Sequence, residues 1–171
     1  MNIMLNYYYQ FLHERHYFEC HELLEDVWKA RPSYSKKDIE VAFIMLATSQ
    51  YHHRRGNTAG AARCLRKAVD GFRRHAQLLT EYGVEPALIP ILEKRLGTAG
   101  PYTPLQLPLT ASCLRQLKAL YPDFDSERPA DDAWINFHAT RDRSAVIAER
   151  ERQLMGNKHP VVDPPAKGNG Q

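Results

Sequence analysis

No stretch of this 171-residue sequence is apolar for long enough to cross a bilayer; its most hydrophobic run, IEVAFIMLAT, falls far short of a span and follows Lys36, Lys37 and Asp38. Cysteine is scarce as well. The three residues, Cys20, Cys64 and Cys113, are odd in number and widely spaced, which fits neither a disulfide framework nor a paired-thiolate zinc site. A formal net charge of +3 is too small to demand nucleic acid or an acidic membrane as partner. No charged-then-apolar leader opens the chain, no internal repeat recurs, and the alternating pattern of strands is almost missing. These absences predict a cytoplasmic protein without membrane association, built as one helical domain long enough to bury a core without staples.

What is present is helical periodicity with clear punctuation. The first helix begins at or before Tyr7, bends around Glu14 to His16 and continues to about Ala30, where Arg31-Pro32-Ser33 stops it. A second is predicted over 38–55, with Gly56 past its end and Asn57-Thr58 as the next cap. A third is expected over 58–82 and a short fourth over 86–97, where Pro90 can delay the start by a turn. Three prolines force GPYTPLQLPL to be extended. Helix resumes over 110–120 and again, after the acidic linker PDFDSERPADD, over 132–155; GNKHPVVDPPAKGNGQ reads as a disordered tail.

The stretch YFECHELLEDVW, residues 17–28, carries the chemistry. At about 100° per residue, Tyr17, Cys20, Leu24 and Trp28 share one side of the helix, His21 and Glu25 ride with them, Glu22 sits at the border, and Glu19 and Asp26 point away. A buried carboxylate without partners is costly, so Glu25 must be protonated, hydrogen-bonded, paired with a cation or bound to a metal. The second helix is apolar nearly all round and gathers Gln50, His52 and His53 at its end. Antiparallel packing of the two helices would bring His52 or His53 within reach of His21 and its glutamates. Two readings stay open. In one, His21, Glu25 and His52 join a buried hydrogen-bond network that fixes how the helices meet. In the other they ligate a divalent transition metal, with Glu22 as the catalytic base of a hydrolase-like enzyme; a carboxylate stands where the usual zinc helix has its second histidine. Trp28 reads as core and Cys20 as a small buried hydrophobe.

Two basic features raise further partners. In RGNTAGAARC the glycines turn the chain and Asn57 or Thr58 caps, but a helix start preceded by Arg54 and Arg55 could also cradle an anion. The third helix buries Ala61, Leu65, Ala68, Phe72, Ala76 and Leu79 and lines its other side with Arg63, Arg66, Lys67 and Arg74, a face suited to an acidic partner or nucleic acid, or simply to water. Near the end, RDRSAVIAERERQ mixes both signs and reads as an exposed helix, a partner-binding arm anchored by Trp134 and Phe137.

YFECHELLEDVW followed by a helix ending YHHRRGNTAGAARCLRKA resembles the bacterial domain of unknown function 309 family, most clearly from Phe11 to Leu79, and RDRSAVIAERE is similar to the C-terminal helix of its longer members. Glu19, His21, Glu22, Glu25, Trp28, His52, Gly56, Asn57, Gly60 and Ala61 fall on the family pattern. The resemblance implies an all-helical bundle and no settled activity. The resulting expectation is an all-α single-domain bundle with an irregular proline-rich connection and a long C-terminal helix: a core over 1–97, a helical extension over 98–155 and a tail over 156–171. Its leading function is a non-catalytic binding or scaffold protein with a buried His/Glu cluster and a protein partner. The metal-dependent enzyme and the nucleic-acid or acidic-partner binder are the rivals.

Overall fold

The computed structural model describes residues 2–98 and 100–136. Helix α1 (Asn2–Tyr8) passes directly into a π-helical turn, Tyr9–Glu14, and stops at Arg15, whose φ of 55° puts a branched-out cation in the left-handed region. This is the bend expected around Glu14 to His16. His16 then caps α2 (Tyr17–Lys29) through Nδ1, which accepts the Glu19 N–H at 3.0 Å. Helix α3 (Ile39–Arg54) runs back antiparallel, and Gly56, at φ 76°, turns the chain into α4 (Thr58–Arg74). Asn57 caps α4 by accepting the Gly60 N–H at 2.9 Å.

Helix α3 lies in the middle and packs on both α2 and α4. Its residues Ala42, Phe43, Leu46 and Ala47 are buried, as its all-round apolarity requires. A Cβ on Gly71 would sit 2.6 Å from that of Ala42, so only glycine lets α4 approach α3 so closely. Helix α4 ends eight residues earlier than the sequence pattern predicts. A 3₁₀ turn, Ala76–Leu78, replaces its last turns, seating Leu79 fully in the core and carrying Tyr82 to Glu40.

Glu40 is the carboxylate that the helix bundle does bury, at 4% exposure. It accepts hydrogen bonds from Arg31 and from Tyr82 Oη, the latter at 2.7 Å. Burial pushes its carboxyl up, but these two donors outweigh burial and hold it below the usual range. Its contribution to stability is therefore complete above pH 4.5 and is lost as pH falls through the lower folded value. Glu40→Ala is expected to destabilise by about 2 kcal/mol in urea unfolding, less than a fully enclosed pair because Arg31 is half-exposed. Glu40→Gln, which still accepts from Tyr82, should cost less.

Beyond α5 (Leu88–Leu96) the chain is extended, as the prolines dictate, and buries Leu105 and Leu107. It pairs once with the turn after α4, through Glu85 N–H to Pro108 O at 2.7 Å and Thr110 N–H to Gly83 O at 2.9 Å. Thr110 caps α6 (Ala111–Leu120), and α7 (Asp132–Ile135) follows the acidic linker. Two arginines hold this later part on the core. Arg15, 2% exposed, donates to Phe11 O, Leu105 O and Ser126 O. Arg54 donates to Arg15 O at 2.7 Å and Trp134 O at 3.0 Å while lying 4.7 Å over the Tyr17 ring. The structure is all-α, with no strand among the described residues and no helix there long and apolar enough to cross a membrane. The continuation of the last helix towards Met155, Phe137 and the tail lie outside the described residues.

Candidate ligand cleft

The phase of α2 is as read: Tyr17, Cys20 and Leu24 are buried. The depth of its flank is not. The side chains of His21 and Glu25 are 28% and 29% exposed, because α2 is covered by α1 and α3 on one side only and its edge borders an open cleft. The expected buried His/Glu cluster is thus a half-exposed one. Its carboxylate is answered from the same helix, one turn on, by Lys29 Nζ at 2.8 Å from Glu25 Oε1. His21 Nδ1 meets Glu22 Oε1 at 3.0 Å and its Nε2 lies 3.7 Å from Glu25 Oε2. Ligand atoms of these three residues all fall within 4.8 Å of one another. Glu19 sits in the first turn, its carboxyl pushed up by burial and by Glu22 and Asp26.

His52 is not brought into that group. Its Nδ1 accepts from the Asn57 amide at 3.3 Å, and burial, with Arg55 and Arg63 nearby, lowers its pKa. The separation follows from register: the antiparallel pair sets the C-terminal end of α3 against the start of α2, whereas His21 and Glu25 border a cleft with Val41, Ile44 and Met45. Glu25→Ala is accordingly expected to cost about half a kcal/mol or less, and to add independently to His52→Ala. Chemical denaturation of the two single variants and the double variant checks this.

The cleft, of 480 Å³, lies over α3 between α2 and α4. Val41 and Met45, one turn apart on α3 and half-buried, lie on its floor. Glu25 and His21 stand on the α2 side, Lys67 and Arg74 on the α4 side, and Trp28 near the loop end. Trp28 is not core: its Nε1 donates to Asp38 Oδ2 at 3.1 Å and Ser35 O at 3.2 Å, tying α2 to the loop before α3. Arg63, Arg66, Lys67 and Arg74 are exposed on α4, as read. Arg54 and Arg55 are engaged away from the start of α4. Arg54 turns inward as described, and Arg55 contacts Tyr51 Oη at 3.3 Å and Asn136 Oδ1 at 3.2 Å.

The family model described as a domain of unknown function, DUF309, matches residues 5–64, from α1 into α4. The chain is also 31% identical over 164 residues to the uncharacterised protein YpuF of Bacillus subtilis (strain 168), a match covering 90% of this chain and 94% of that relative. The chain belongs to the DUF309 family. No solved structure gives a significant match. The DUF309 span contains the α2 side and the floor of the cleft, while Lys67 and Arg74 stand just beyond it. Among the buried polar residues it also contains are Arg15, His16 and Glu40, which periodicity did not single out. His16 had a usable signal, standing where Ser or Asp would cap a helix. Arg15 had none, since a charged residue at a helix break reads as solvent-facing.

Proposed function

We propose that this DUF309 protein is a non-catalytic binding protein of the cytoplasm, and that the cleft over α3 takes a helical segment of a protein partner. One observation carries the proposal: residues far apart in sequence, His21 and Glu25 on α2 and Lys67 and Arg74 on α4, line one cleft with an apolar floor. Its size gives room for a few side chains of a docked segment, not for a whole domain. An amphipathic helix fits that shape when its apolar stripe meets Val41 and Met45 and its acidic edge runs along Lys67 and Arg74. Buried free thiols at Cys20 and Cys113 agree with a reducing compartment. Joint reversal of Lys67→Glu and Arg74→Glu, both on exposed positions, should weaken partner binding at least about tenfold with helix content unchanged. A nucleic-acid ligand would behave differently, losing affinity steeply with salt and depending on Arg63 and Arg66 as well.

A second reading, a divalent transition metal on His21, Glu22 and Glu25, is favoured by the closeness of their ligand atoms. Lys29, already paired with Glu25, argues against it. Elemental analysis of untagged protein separates the two. Stoichiometric metal lost in His21→Ala would support the metal-dependent enzyme, and metal-free protein that still binds its partner would support the docking cleft.

A further inference from the structure

A second cleft, of 370 Å³, opens between the end of α3, the start of α4 and the end of α5. Gln50 lines it, is 1% exposed, and holds its Oε1 buried without a hydrogen-bond partner. Arg95 lines it from α5, and its Nε is likewise buried and unpartnered. The outer edge of the same guanidinium is fixed by Thr103, through Nη1 to Oγ1 at 2.7 Å and Nη2 to the carbonyl. An acceptor and a donor left unpaired in one cleft are unusual, because nearly all buried polar atoms in folded proteins are satisfied. Both belong to side chains that line the cleft, so a ligand there satisfies them once a small side-chain rotation brings them to its surface.

The charge of the wall narrows the class of ligand. Its ionisable side chains are Arg95 and His53, and no carboxylate lines it among the described residues. His53 Nε2 bonds Gly100 O at 3.0 Å, closing one edge. Thr58 brings in the N-terminal end of α4, a helix of 17 residues whose dipole favours negative charge. Ala62 and Leu65 supply an apolar side. The volume falls in the roughly 300–1,000 Å³ range of small-molecule sites.

We infer that this cleft binds a small organic anion that also carries a hydroxyl or amine: the acid group meets Arg95 and the start of α4, and the O–H or N–H donates to Gln50 Oε1. The site is separate from the cleft over α3 and does not depend on it. The anion is a carboxylate or a phosphate ester, and the test has an arm for each.

Amide resonances of the full-length protein are followed during titration with lactate, with glycerol phosphate and with inorganic phosphate. The inference expects saturable shifts at Gln50, Thr58, Ala62 and Arg95 with at least one of the two hydroxylated anions, and the tighter of them names the acid group. Gln50→Leu should weaken that probe at least about tenfold while leaving inorganic phosphate unaffected, because only the hydroxylated probes use the amide oxygen. Arg95→Leu should abolish binding of all three. If Gln50→Leu does not fold, Ala62→Leu at a half-exposed wall position narrows the cleft and should remove binding from folded protein. Absence of saturable shifts with every probe, or unchanged affinity for the hydroxylated anion in Gln50→Leu or Ala62→Leu, would overturn the inference.

Discussion

Arg15→Ala is expected to destabilise the protein by about 4 kcal/mol, the largest effect of any single substitution considered. The guanidinium is 2% exposed, and its donors serve the carbonyls of Phe11, Leu105 and Ser126, three separate stretches of chain. Truncation removes the donors, leaves buried carbonyl oxygens unpaired and opens a cavity. Lysine does not rescue this, since a single ammonium cannot span carbonyls that a planar fork reaches together. The backbone contributes in the opposite direction. At φ 55° a residue with a Cβ is strained, so Arg15→Gly should be about 1 kcal/mol more stable than Arg15→Ala although both lack the side chain. Urea unfolding of the three proteins gives the order parent, glycine variant, alanine variant.

The second large effect is a pH dependence set by His16. Burial, and then the nearby Arg54 cation, lower its pKa from 6.5 to about 4. Its Nδ1 must stay unprotonated to accept the Glu19 N–H. A folded value below the unfolded one means that the unfolded chain takes up the proton first as pH falls. Stability is therefore full above pH 6.5 and declines from there to about pH 4, by about 3 kcal/mol. His16→Asn keeps a cap and removes the titration. Thermal unfolding across this range should show a steep fall in the parent that is much shallower in the variant; parallel curves would show that His16 does not control it.

The helices and their turns were legible because they rest on local rules: the stop at Gly56, the cap at Asn57, the break before Tyr17 and the prolines before α6. Helix α4 was overextended because Ala76 and Leu79 continue its apolar period, and nothing local announces that Tyr82 must reach Glu40. The candidate site was legible in direction and not in depth. Phase set His21 and Glu25 on the apolar face, yet both side chains are part-exposed, because exposure depends on how far the neighbouring helices wrap, which is a tertiary quantity. Glu40 shows the converse: on a helix apolar all round, a buried carboxylate was there to be found, and its partners Arg31 and Tyr82 come from outside that helix.

The central claim, that the cleft over α3 is a docking surface for a protein segment, is tested most directly by photo-crosslinking in cells expressing the protein. A photoreactive residue replaces Met45 on the cleft floor or, as a control, Leu120, exposed on α6. The account predicts a discrete protein adduct from position 45 that is lost when Lys67→Glu and Arg74→Glu are added, with no such adduct from position 120. An adduct that survives charge reversal, or the same adduct from both positions, would contradict it.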